Sequence, residues 1–179
     1  MRRAGGRSHF KGAGHGVSAS HTSEKKTNAM RLLDAAKIPY AVRAYEYEES
    51  DLSGTHAADA VGMAREAVFK TLVARGDKTG FAVFCIPVAE ALDLKKAARV
   101  SGNKSVEMLH VKELLPTTGY VRGGCSPVGM KKKFPTYIDE TAMLFEEIAV
   151  SAGQRGIQLI VSPDALLAFT EAAYAELTV

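Results

Sequence analysis

Two apolar runs, Val68 to Arg75 and Phe81 to Val88, stand on either side of Gly76-Asp77-Lys78-Thr79-Gly80. β-rich segments separated by a five-residue, glycine-bounded connection predict a hairpin, and this hairpin constrains the fold more than any other feature. Before it, Lys25 to Lys37 predicts a helix capped by Thr27 or Asn28 and stopped by Pro39. A strand follows at about Tyr40 to Tyr47, and a short helix at His56 to Val61 closed by Gly62. After it, Asp93 caps a predicted helix over Leu94 to Val100, and Val106 to Leu115 reads as one further helix or two short ones. Thr136 to Asp139, Glu147 to Ser151 and Ile157 to Val161 read as short strands. Ser162-Pro163-Asp164 opens a last helix, with Leu166, Phe169, Ala173 and Leu177 on one face. The sum is six or seven short strands mixed with four or five helices and no repeat. The expected class is α/β or α+β, a curled sheet or barrel with helices outside.

With 179 residues and 46% hydrophobic content, the chain has material for one domain with a sizeable core. We expect that domain over residues 25–179, preceded by a disordered basic tail over residues 1–24. The tail is rich in Gly, Ser and His and has no apolar h-region. His9, His15 and His21 recur every six residues there, but flexible glycine-rich spacing pre-organises no metal geometry. The net charge of +3 belongs to this end. Residues 1–26 carry six Lys or Arg against one Glu, and the remainder carries 17 against 19 acidic residues. Attraction for nucleic acid must therefore come from local patches, chiefly Lys95, Lys96, Arg99 and Lys104, and the run Lys131, Lys132 and Lys133. Two cysteines suggest no disulfide framework, and no apolar stretch approaches the roughly 20 residues that span a bilayer. A cytoplasmic protein without membrane attachment is expected.

Gly123-Gly124-Cys125-Ser126-Pro127-Val128-Gly129 runs directly into Met130 and the three lysines. Glycine reaches backbone angles closed to other residues, so the N–H groups of residues 123 to 126 can converge on one oxygen or phosphate while Pro127 fixes the exit. An ordinary β-turn with a solvated basic end has the same spacing. Lys70 adds weight to anion handling, because Val68, Phe69, Leu72 and Val73 give it an apolar neighbourhood. It is either a lysine snorkelling from a strand end or a cation at a pocket mouth, holding a phosphate or an ester carbonyl. Tyr45 is either a core tyrosine with a satisfied hydroxyl or a group that orients a ligand.

Covalent catalysis fits less well. Cys125 sits where converging donors could lower a thiol pKa, but it needs a base, and His56 and His110 stand in no Cys/His signature. Gly124 to Gly129 misses the nucleophile-elbow spacing by one residue, and Pro127 removes the N–H that would follow Ser126. The scattered His and Cys residues make no metal site. Without a P-loop or dinucleotide fingerprint, no cofactor is expected.

Several separated segments, taken in order, resemble the YbaK family of aminoacyl-tRNA deacylases, the group that includes the editing domain inserted in bacterial prolyl-tRNA synthetases. They are Phe69-Lys70-Thr71-Leu72, Pro87-Val88, Leu92-Asp93-Leu94-Lys95-Lys96, Lys104-Ser105-Val106-Glu107-Met108, Thr118 to Pro127, and Val150-Ser151-Ala152-Gly153-Gln154-Arg155-Gly156. The resemblance runs from about Thr27 to Leu177. It implies a YbaK-type editing fold and a trans-editing hydrolase acting on cysteine mischarged onto tRNA(Pro). No enzyme nucleophile is implied, since the cysteinyl thiol attacks its own ester. A broader aminoacyl-tRNA deacylase and a catalytically silent tRNA- or synthetase-binding module are the alternatives.

The resemblance further implies roles. Lys70 holds the terminal phosphate or ester region, Tyr45 and Thr71 shape the pocket, and Ser151 is a pocket serine. Gly123, Gly124, Ser126 and Pro127 grip the ribose and carbonyl, and Cys125 is a filler of that loop. The tRNA body meets Lys95, Lys96, Arg99 and Lys131 to Lys133, while the acidic C-terminal helix faces away. Prolyl-tRNA synthetase is the further partner the resemblance suggests. Two departures bear on selectivity: Leu52-Ser53-Gly54 stands where relatives have a phenylalanine, and Gln158 where they have an aspartate.

Overall fold

The computed structural model describes residues 25–179; the expected basic tail, with its three histidines, lies outside them. The hairpin forms as predicted. Strands β2 (Phe69–Gly76) and β3 (Gly80–Pro87) pair antiparallel from Phe69 opposite Pro87 to Gly76 opposite Gly80. The connection holds because Asn103 Oδ1 accepts hydrogen bonds from both Lys78 N and Thr79 N at 2.9 Å. Asn103 lies against Gly76, where a Cβ would come within 2.3 Å of its side chain, so only glycine fits.

In chain order the other elements are α1 (Asn28–Ala35), β1 (Tyr40–Ala44), α2 (Gly54–Val61), α3 (Leu94–Ser101), β4 (Val106–Met108), α4 (Val111–Thr118), β5 (Thr136–Asp139), β6 (Ile148–Ser151), β7 (Ile157–Val161), α5 (Pro163–Thr170) and β8 (Ala173–Ala175), with two short 3-10 turns. Thr27, Ser53, Asp93 and Ser162 cap α1, α2, α3 and α5 through their side chains, each satisfying an N–H that the first helical turn leaves without a partner.

The strands form a three-stranded sheet, β1-β7-β6, and a five-stranded sheet, β4-β2-β3-β5-β8. The mixed α/β class stands, but the expected barrel is corrected to two open sheets. A barrel needs continuous pairing all the way round. Here the sheets meet through an isolated parallel bridge between Val68 and Ala149, and no ladder joins β2 to β6. One core, including Leu33, Phe69, Val73, Ile148, Val150 and Leu159, fills the space between the sheets. A second, with Phe84, Ile86 and Leu177, lies under α3. Helix α2 closes a third over Val68, Val88, Ala149 and Ile160.

Two elements differ from the sequence reading. Val106–Met108 is a strand rather than helix, pairing with Ala74–Gly76. The last helix stops at Thr170, where Glu171 takes a left-handed φ of 53°. Ala173–Ala175 instead pairs parallel with β5, and Leu177 N donates to Asp139 Oδ1 at 3.0 Å. The exposed edge of β5 offers main-chain partners that a longer helix would forgo, so tertiary pairing overrides local periodicity.

Candidate active site

A cavity of about 390 Å³ lies between residues of the two sheets beside the Val68–Ala149 bridge. Lys70 and Thr71 on β2 line one side, and Ser151 on β6 and Gln158 on β7 line the other. Ser151 and Gln158 are register partners across the antiparallel pair, so they form one polar spot. Alternation along β7 puts Gln158 and Ile160 on this face, while Leu159 and Val161 enter the main core. Val68 and the first five residues of β2, Phe69 to Val73, all line the cavity. A strand does this where its backbone edge is the wall, and β4 covers only Ala74–Gly76 of that edge. Tyr45, Leu52 and Arg122 complete the mouth, and Leu109, Val111 and Leu114 supply an apolar side.

The glycine loop is locked to the β6–β7 turn. Arg155 Nε donates to Arg122 O at 2.8 Å, and Gly124 lies against the Gln154–Arg155 main chain. Gly123 has a φ of 83°, open to glycine at little cost, and packs on Leu52. Tyr120 buttresses the loop from behind: its ring meets Gly153, and its hydroxyl donates to Val128 O.

Lys70 is half-buried, and burial pushes its pKa below the ordinary 10.5, with Glu90 acting weakly in the other direction. It is a cation held at an energetic cost beside an apolar cavity. Both thiols are unsuited to attack. Burial drives Cys85 and Cys125 up to about 12, so each is a protonated thiol at neutral pH although Cys125 reaches the cavity wall. Gln158 is 5% exposed, and its Oε1 is buried without a hydrogen-bond partner among the described residues.

The cavity brings together Tyr45, Lys70, Thr71, Gly123 and Ser151 from the sequence expectation, and leaves Gly124, Ser126 and Pro127 off its wall. Ser126 is fully buried, and its Oγ accepts from Val128 N at 3.2 Å, so its hydroxyl shapes the loop. The Gly124 N–H donates to Val121 O at 3.0 Å and does not join a convergent set. Pro127 lines a second, smaller cavity with Lys132, Lys133 and Phe169. Lys95, Arg99, Lys131 and Lys132 are exposed. Lys96 Nζ donates to Glu176 at 2.7 Å and to Thr178 O at 2.8 Å, and Lys133 pairs with Glu171, so both cations lie against the acidic C-terminal segment. Arg122 and the apolar residues from Met108 to Leu114 escape sequence reasoning, because their part depends on where β4 and α4 dock and no local pattern marks it.

Residues 52–169 match the family model described as the aminoacyl-tRNA editing domain. The chain belongs to this family, and its class is that of the aminoacyl-tRNA deacylases. Over 160 residues it is 49% identical to a protein of Enterococcus faecalis (strain ATCC 700802 / V583) named "Putative Cys-tRNA(Pro)/Cys-tRNA(Cys) deacylase EbsC", covering 89% of this chain and 98% of the relative. A solved structure described as "a putative trans-editing enzyme for prolyl tRNA synthetase" superposes with a TM-score of 0.71 at 28% identity, covering 87% of this chain and 99% of the other. The fold also matches that of the hypothetical protein APE2540, with a TM-score of 0.76 at 20% identity over 83% of this chain and 97% of the other.

Proposed function

We propose that this chain is a trans-editing enzyme that deacylates cysteine mischarged onto tRNA(Pro), with the cysteinyl thiol itself as nucleophile. The observation that carries the reading is a half-buried cation, Lys70, on the wall of a cavity whose wall cysteine, Cys125, burial keeps protonated. The site supplies a cation and shape, and the nucleophile comes with the substrate. The thiol sulfur, on losing its proton, forms a bond to its own ester carbonyl carbon, and negative charge moves to the carbonyl oxygen. Collapse breaks the bond to the ribose oxygen, which takes up a proton, and water then opens the strained cyclic thioester to free cysteine. Lys70 stabilises the developing oxyanion or fixes the adjacent phosphate, and Gly123 with Tyr45 and Thr71 holds the ester in an attack geometry. Ser151 shapes the floor. Gly124, Ser126 and Pro127 act through the loop conformation.

A second sieve of this kind answers a physical need. Cysteine and proline are similar enough in size that a synthetase pocket separates them by only about 10- to 200-fold. The E. faecalis relative's name, which specifies Cys-tRNA(Pro) and Cys-tRNA(Cys), supports the cysteinyl substrate. In this reading the tRNA phosphates meet Lys95, Arg99, Lys131 and Lys132, with Lys96 and Lys133 contributing once their carboxylate partners are displaced. Prolyl-tRNA synthetase is the source of the substrate and the partner for recruitment, in the cytoplasm. No helix among the described residues is long and apolar enough to cross a membrane. Comparing Cys-tRNA(Pro) with Ser-tRNA(Pro), which replaces sulfur by oxygen, tests the nucleophile. Fast loss of the cysteinyl ester and persistence of the seryl ester is the expected result; equal rates would contradict it.

A further inference from the structure

We propose that the second cavity is a nucleotide subsite: it holds one unpaired base of the tRNA 3′ strand, with a phosphate on Lys132 and Lys133, while the terminal ester lies in the first cavity. The inference rests on the deacylase reading and adds to it a binding site on a separate wall of the fold.

This cavity measures about 230 Å³ and lies between the end of α5 and the chain that leads from the glycine loop into β5. Met130, Phe134 and Phe169 give it an apolar wall. Phe134 and Phe169 pack against the main core and remain partly exposed, so the surface they offer is held in place from behind.

Charge selects the ligand. Among the described residues no carboxylate lines the cavity, and Lys132 and Lys133 make it positive. Lys132 is exposed and enters no ion pair among the described residues. Lys133 pairs with Glu171, but both side chains are largely exposed, so the pair is weak and a phosphate can displace the carboxylate. A flat apolar group with an anion one short link away matches this wall, and that is a nucleotide. The threonine hydroxyls of the wall are already committed as donors: Thr136 Oγ1 to Phe134 O at 3.0 Å, and Thr170 Oγ1 to Leu166 O at 2.7 Å. Base identity is therefore read weakly, as is usual where bases rest on aromatic side chains.

Position points to the 3′ strand. Gly123 and Cys125 line the first cavity, and Pro127 and Gly129, in the same loop, line the second. The chain from Gly123 to Gly129 spans at most about 20 Å even when fully extended. The unpaired nucleotides that precede the esterified adenosine reach that far.

The test uses the full chain and an acceptor-stem minihelix of tRNA(Pro), with each unpaired nucleotide ahead of the terminal adenosine made abasic in turn. Dissociation constants are measured for wild type, Phe169→Ala and Lys132→Ala, each checked for its melting temperature. One abasic position should weaken wild-type binding by roughly 5- to 100-fold, the span of one base stacked on an aromatic side chain, whereas exchanging that base for another should cost less than about threefold. Phe169→Ala should weaken binding of the intact RNA and be indifferent to that abasic position. Lys132→Ala should weaken binding too, and its loss should vanish when a methylphosphonate replaces a phosphate flanking that nucleotide. Equal affinity of wild type for the intact and every abasic RNA, or additive losses for Phe169→Ala and each abasic position, overturns the proposal. If Phe169→Ala fails to fold, Lys132→Ala with the methylphosphonate decides: additive losses overturn the proposal, and coupled losses support it. Wild type that deacylates Cys-tRNA(Pro) yet shows no such coupling overturns this site alone. Wild type that neither binds the minihelix nor deacylates Cys-tRNA(Pro) overturns the editing reading as well.

Discussion

Gly124 lies against the main chain of Arg155: a Cβ at residue 124 would come within 3.1 Å of the Arg155 nitrogen and 3.2 Å of the Gln154 carbonyl carbon. The close approach fastens the glycine loop to the turn that follows Ser151, and Arg155 Nε to Arg122 O fastens it a second time. The glycine loop and the β6–β7 wall of the cavity are therefore held together.

Gly124→Ala should wedge that contact open. We expect a loss of about 1–3 kcal/mol in stability, the usual cost of overpacking against a backbone. Deacylation should fall more than stability explains, because Gly123 shifts with its neighbour. Thermal melting and single-turnover rates on the same preparation check this.

Cys125→Ala should leave deacylation within a few-fold of wild type. With its thiol pushed up to about 12, Cys125 has almost no thiolate at neutral pH. The cost should lie in packing, roughly 1 kcal/mol for a small void in a buried wall. A rate drop of a hundredfold or more would reinstate an enzyme nucleophile.

Lys70 gives a pH signature in stability. Its folded-state pKa lies below the ordinary 10.5, so the unfolded chain binds more protons over the window between the two values. Stability from this group rises as pH climbs through the folded pKa toward 10.5, where the penalty of burying the charge disappears. Lys70→Met should remove that rise and be no less stable than wild type at pH 7. Denaturant melts at pH 7, 8, 9 and 10 on both chains check the sign.

For tRNA, the six cations should separate into two groups. Neutralising Lys95, Arg99, Lys131 or Lys132 should lower affinity and reduce the salt slope by about one for each phosphate that no longer meets a cation. Lys96→Ala should instead loosen the C-terminal segment, since Lys96 bridges Glu176 and Thr178 O. Affinity measured at several salt concentrations, alongside melting temperature, distinguishes the two effects.

The elements most legible in the sequence are those with local causes. The β2–β3 hairpin, the Asp93, Ser162 and Thr27 caps, and the short strands at Thr136 and Ile157 all have turn or capping residues that act within a few positions. The misreadings share one origin. Val106–Met108 and Ala173–Ala175 are three-residue strands that exist because a neighbouring edge pairs with them, and nothing local distinguishes them from helix. The cavity shows the same division. Lys70 stands out as a charge in an apolar run, and Gly123 as part of a glycine pair. The partners of Lys96 and Lys133 and the unpaired Gln158 oxygen arise from contacts between distant segments, which no spacing rule encodes.

The central claim is that the substrate's own thiol acts in a cavity governed by Lys70. Its most direct test is single-turnover deacylation of Cys-tRNA(Pro), Ala-tRNA(Pro) and Pro-tRNA(Pro) by wild type and by Lys70→Ala. Rapid loss of the cysteinyl ester alone is expected, with a fall of a hundredfold or more in the variant, consistent with the loss of a single oxyanion donor. Equal hydrolysis of the alanyl ester, or a Lys70→Ala variant as fast as wild type, would contradict it.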